Sequence, residues 1–165
     1  MQSTYEPSEA AIDSPKRFKK HSVWLMIGLT IITLSLYLPY WMYTRTKTLN
    51  EVTGDEDVSQ LFTTFVVSLF VLTFFLDASS EFLELSSNVA RVFKVLGFAS
   101  NICVLIWALM FRTALNGYTK SKPRDELWSN AFFTWFFQAF YHQYKINQIV
   151  DIQNASTPES LPATD

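Results

Sequence analysis

A single cysteine, Cys103, stands in the whole chain. It excludes an internal disulfide and any cysteine-built metal cluster, and a lone thiol in an apolar stretch reads as a small buried hydrophobe. The net charge is -2, and no basic face is large enough to neutralise many phosphates, which excludes nucleic-acid binding. His21 and His142 are the two histidines. Neither has the convergent ligands of a metal site, nor the cleft and orienting partner of a catalytic base. His142 reads as an interfacial histidine near lipid headgroups. Glu81 and Glu84 read as a solvated face near a helix N-terminus rather than as a carboxylate pair. No cofactor, no metal and no catalytic residue is expected.

A further absence is of charge along one run. From Val23 to Tyr43 about 21 residues carry none, and at 1.5 Å rise per residue they are long enough to cross a hydrocarbon core of roughly 30 Å. Arg17, Lys19 and Lys20 precede the run, Arg45 and Lys47 follow it, and Trp41 and Tyr43 sit where amphipathic rings prefer the headgroup level. The run is too long for the apolar region of a secretory signal, and no small-x-small cleavage site follows. It is expected to stay in the mature protein.

Three more apolar blocks follow. Leu61 to Leu76 comes after the acidic loop Asp55, Glu56, Asp57 and is slightly short for a span. Asp77 reads as the N-cap of an amphipathic helix through Phe82, Leu85, Val89, Val92, Phe93 and Leu96 that leads into the third block, Val95 to Phe111. Arg112 closes that block and snorkels. Asn116 and Gly117 signal a stop, and a basic linker with Lys120, Lys122 and Arg124 follows. The fourth block, Leu127 to Tyr144, is crowded with aromatic rings. Glu126, Asn130, Thr134, Gln138 and His142 make a slanting polar stripe along it, as in a helix lying in the interface or turned against other helices. Residues Met1 to Pro15 and Gln153 to Asp165 have the composition of disordered tails. The expected organisation is a tail with a basic collar over 1–21, a membrane domain over 22–150 and a second tail over 151–165.

Three of the four blocks end alike: Trp41, Tyr43, Arg45, Lys47, Leu49, Asn50; then Trp107, Arg112, Leu115, Asn116; then Tyr141, Tyr144, Lys145, Ile146, Asn147. Aromatic rings and cations belong at a water interface, so all three ends are expected on one side. If every block spans, the cations divide about 7 against 6, and nothing orients the protein. If only blocks two and three span, while block one re-enters and block four lies in the interface, they divide about 11 against 2, with the N-terminus cytoplasmic. Pro39 is the expected turn, because it lacks a donor and pushes Leu38 from helical angles.

The segment Thr33, Leu34, Ser35, Leu36, Tyr37, Leu38, Pro39, Tyr40, Trp41 resembles the Thr-Leu-Gly-x-Tyr-x-x-x-Trp signature of a bacterial membrane family catalogued as domain-of-unknown-function family 4234. The ending Tyr141, Gln143, Asn147 is similar to that family's aromatic-Gln-x-x-x-Asn. Ser35 stands where the family usually has glycine, and serine lacks glycine's easy access to positive φ. The resemblance implies a small multi-helix protein of the bacterial inner membrane and carries no catalytic residue across.

The expected fold is all-α: a polytopic helical bundle with two firm spans, a first block that re-enters or spans, and an amphipathic aromatic fourth helix. The expected role is non-enzymatic, structural or interacting, with the lipid bilayer and a second copy or another membrane protein as partners. A small oligomeric transporter or channel component is the alternative, weakened by the lack of intramembrane ionisable groups, and a lipid-modifying enzyme comes third. Thr33, Ser35, Tyr37, Trp41, Asn50, Asn101, Arg112, Asn116, Gln143 and Asn147 are the candidate motif and interface residues. Asn101 is expected to find a partner across a helix interface.

Overall fold

A computed structural model describes residues 18–80 and 86–156. Most of both tails, Lys16 and Arg17 of the collar, and Glu81, Phe82, Glu84 and Leu85 lie outside the described residues. Those residues contain five helices and no strand: α1 (Val23–Ile32), α2 (Tyr37–Thr53), α3 (Gln60–Ser80), α4 (Ser87–Tyr118) and α5 (Ala131–Ser156).

The first apolar block is two helices. Ser22 caps α1, its hydroxyl accepting from Leu25 N–H, and the chain then turns through Leu34 (φ 49°) and Ser35 (φ 75°). Thr33 bridges the break, its hydroxyl donating to the Leu29 carbonyl and accepting from Tyr37 N–H. The two legs return to one end, because Arg45 donates to the Lys19 carbonyl at 3.1 Å. The break precedes Pro39, the expected turn. Pro39 instead occupies the first turn of α2, where its missing N–H has no helical partner to lose. Ser35 takes the left-handed conformation without being glycine.

The α3 helix is longer than its apolar block. It runs 21 residues, about 31 Å, and passes through Asp77, which is therefore not the cap of a following helix. Asp77-Ala78-Ser79-Ser80 contains no helix breaker, and the hydroxyls of Ser79 and Ser80 bond back to carbonyls of the preceding turn. The following helix, α4, begins at Ser87 and runs 32 residues, about 48 Å. These two helices are long and apolar enough to cross a membrane. Only 17% of the apolar window in each is buried, whereas the core helix of a soluble protein hides most of its apolar surface.

The fourth block is not one straight helix. Gln138 has φ 35° and ψ -115°, and the chain turns there. Asn130 N–H donates to the Tyr141 hydroxyl at 3.0 Å, and Lys145 Nζ donates to the Glu126 carbonyl at 2.7 Å. Both bonds join residues on opposite sides of the break, at sequence separations that a straight helix holds far apart. The polar stripe therefore does not run along one surface: Thr134 and His142 are buried and Asn130 is exposed. The short leg from Ala131 to Phe137 leaves Phe132, Phe133, Trp135, Phe136 and Phe137 bare.

The described chain is thus three hairpins, α1–α2, α3–α4 and the two legs of α5. Their core lies where the returning legs meet: Trp41, Trp107, Phe111 and His142 pack with ring centres 5.0–6.3 Å apart.

Candidate functional site

The three similar block ends come together. In each, the aliphatic residue before the asparagine is closed off from solvent: Leu49, Leu115 and Ile146 have 0%, 1% and 0% of their surface exposed. Burying that side chain turns the next residue, the asparagine, toward a neighbouring strand of backbone. Each asparagine then grips one residue by both its N–H and its C=O. Asn50 holds Val58 (2.8 and 3.2 Å), Asn116 holds Ser129 (3.2 and 2.8 Å) and Asn147 holds His21 (2.7 and 3.1 Å).

The three gripped residues share a position: each lies two residues before an apolar helix, α3, α5 and α1 respectively. The end of the first hairpin therefore holds the start of the second, the end of the second holds the start of the third, and the end of the third holds the start of the first. The ring closes on itself. A side-chain amide suits this task because it carries a donor and an acceptor side by side, matching the C=O and N–H of one residue. The N–H groups just before a helix lack intrahelical partners and need such an acceptor.

The basic residue of each ending supplies a second tie. Arg45 donates to Lys19 O, Arg112 Nε to Ser129 O at 2.6 Å, and Lys145 to Glu126 O. These cations do not all project into water; Arg45 and Lys145 are buried. Trp41, Gln143 and Asn147 form one path: Trp41 Nε1 donates to Gln143 Oε1 at 2.9 Å, and Gln143 Nε2 donates to Asn147 Oδ1 at 2.8 Å. The two halves of the resemblance motif therefore meet. Lys20 and Asp151 add an exposed ion pair at the same seam.

Other candidates have local duties. Thr33 and Ser35 build the first turn, and Tyr37 opens α2. Asn101 is exposed and donates to the Gly97 carbonyl of its own helix at 2.9 Å, so it makes no tie across a helix interface. His142 is not interfacial but wholly buried, because the turn at Gln138 swings the returning leg onto α4. Its Nε2 lies 3.0 Å from the Ala108 carbonyl, and its Nδ1 has no partner among the described residues. His21 stays below its ordinary pKa of 6.5 through burial, then through the charges of Arg45 and Lys19.

Sequence reasoning missed Thr46, whose hydroxyl accepts from the buried Trp107 Nε1 at 3.0 Å. It also missed Ser129 and Val58, which are used through their backbone and so leave no signal in residue type. Among the described residues no three His, Cys, Asp or Glu side chains group to hold a metal.

Two cavities open on α4 at the ring. One of about 490 Å³ is lined by Asp57, Ile106, Leu109, Met110, Thr113, Ala114 and Gly117. The other, about 370 Å³, is bounded by Arg112, Asn116, Lys120, Ser121 and Trp128, and shares Thr113 and Gly117 with the first.

The chain matches no curated protein and no solved structure. The ending with Tyr141, Gln143 and Asn147 lies beyond the residues that a family match covers, although Asn147 closes the ring with His21 inside it. That match is to the domain of unknown function DUF4234 over residues 21–117, more than half of the chain, and the protein belongs to that family.

Proposed function

We propose that this protein is a non-enzymatic, multi-pass scaffold of the bacterial inner membrane. In this reading α3 and α4 span, the other two hairpins dip into the cytoplasmic leaflet, and the ring of asparagine grips lies at the cytoplasmic surface. The observation that carries it is the ring itself. Three hairpins start and end at one place, while Trp24, Ile31, Ile32, Leu61, Phe65, Phe98 and the aromatic leg of α5 stay bare. A soluble monomer rarely leaves so many large apolar side chains bare.

Charge supports the orientation. Among the described residues, Lys19, Lys20, Arg45, Lys47, Arg112, Lys120, Lys122, Arg124 and Lys145 belong to the ring end, and only Arg91 and Lys94 to the other. Cations collect on the cytoplasmic side. The α1 helix has 10 residues, about 15 Å, half the depth of a hydrocarbon core. A body with two such hairpins adds volume to one leaflet and offers its bare faces to lipid or to a second copy.

Labelling of single cysteines tests the reading, with Cys103→Ala as background and Thr53→Cys, Ser87→Cys, Ser121→Cys and Ser156→Cys as reporters. Thr53, Ser121 and Ser156 positions are expected to react from the cytoplasm and the Ser87 position from outside. Reaction of the Thr53 and Ser121 positions from outside makes the chain a plain four-span bundle and removes the proposal. Solute flux through reconstituted protein in place of a stable partner on crosslinking makes it a transporter.

A further inference from the structure

We propose that the two joined cavities on α4 form a binding groove for one anionic glycerophospholipid, with its phosphate beside Arg112 and Lys120 and an acyl chain along Ile106, Leu109 and Met110. The proposal rests on the membrane reading above and deepens it by naming the lipid class. The residues Ile106, Leu109, Met110, Thr113, Ala114 and Gly117 recur at three- and four-residue steps, so they share one face of α4. From Ile106 to Gly117 that face runs about 16 Å. Its far part is apolar, and Ile106 and Leu109 are exposed there. Its near part turns cationic within one helical turn.

Arg112 is prepared for an oxyanion. Its Nε is tied to Ser129 O and its guanidinium lies 5.0 Å from the Trp128 ring centre, which fixes the plane. The two terminal nitrogens have no hydrogen bond or ion pair among the described residues, and a held guanidinium with free donors suits a phosphate. Lys120 is exposed, and its ammonium likewise has no partner among them. Asp57 is the one carboxylate on the groove. It lines the apolar cavity, and among the described residues no carboxylate lines the cavity with Arg112 and Lys120, so both cations are left for a ligand and an anionic headgroup such as phosphatidylglycerol is favoured over a zwitterionic one.

Gly117 is the saddle between head and tail compartments. A Cβ built there meets nothing within 4 Å, so the space at that point of the helix surface is open, and a side chain placed there enters the groove.

The test uses the full chain, purified in an uncharged detergent and stripped of lipid, with bound lipid counted by native mass spectrometry. Phosphatidylglycerol is expected to bind about tenfold more tightly than phosphatidylcholine of the same chains, and Gly117→Leu or Lys120→Ala to remove about that tenfold. Lys94→Ala, at the other end of α4, is expected to leave binding unchanged. Equal binding of the two lipids, or full binding by Gly117→Leu, overturns the proposal. Competition by inorganic phosphate alone at concentrations like those of the lipid also overturns it, because the site is then a free-anion site. Micelles have no sides, so failure here leaves the topology standing, and cysteine labelling decides topology without reference to the groove.

Discussion

Each asparagine of the ring does two things that no apolar residue of its size does: it satisfies an N–H and a C=O of the same peptide neighbourhood. Removing one leaves two backbone groups to find other partners, at a cost that depends on how dry the place is. Asn116 and Ser129 are buried, whereas Asn50 and Asn147 are half-buried. Asn116→Ala is therefore expected to destabilise by about 2–3 kcal/mol, and Asn50→Ala and Asn147→Ala by about 1 kcal/mol each. Denaturant midpoints in detergent would show the order; equal midpoints for all three would mean the grips are incidental.

His21 adds a pH dependence at the same scale. Its pKa is lower in the folded chain than its free value of 6.5, so the unfolded chain takes up the proton first as pH falls. Its contribution is complete above 6.5 and shrinks below it. A thermal midpoint that drops between pH 7.5 and 5.5, with part of the drop abolished in His21→Asn, is the expected outcome.

At the scale of elements, the breaks matter more than the helices. Leu34 and Ser35 sit at positive φ, which costs an L-residue about 1–2 kcal/mol where glycine is free. Ser35→Gly is expected to raise stability by up to about 1 kcal/mol once glycine's greater unfolded entropy is subtracted, and Ser35→Val to lower it by about 2 kcal/mol. A stabilising Ser35→Val would show that the chain there is not turned. The fold-back of the first block was legible from charge, because only that arrangement gathers the cations. Its position was not, since Pro39 announces a break that it does not make: at the start of α2 it costs nothing. The turn at Gln138 left no mark at all. No glycine or proline stands there, and the bonds that hold it, Asn130 to Tyr141 and Lys145 to Glu126, join residues far apart along the block.

At the scale of the molecule, the first and third hairpins are one unit through Trp41, Gln143, Asn147 and His21. Gln143→Leu strands the buried indole N–H of Trp41, and Trp41→Phe strands Gln143 Oε1, each at about 1–3 kcal/mol. The double variant is expected to cost less than the two singles added, with a coupling of about 1 kcal/mol. Strict additivity would mean that the hairpins are stable separately.

Residue order by itself determined the all-helical class, the two apolar helices, the stop near Gly117, and the likeness of the three endings. Those follow from hydropathy, length and local caps, which act within a few residues. Only the tertiary structure decided what the endings hold. A grip on the backbone of His21, Val58 or Ser129 is indifferent to the side chain there, so no residue pattern records it, and a ring closed between Asn147 and His21 exists only once all three hairpins have folded back.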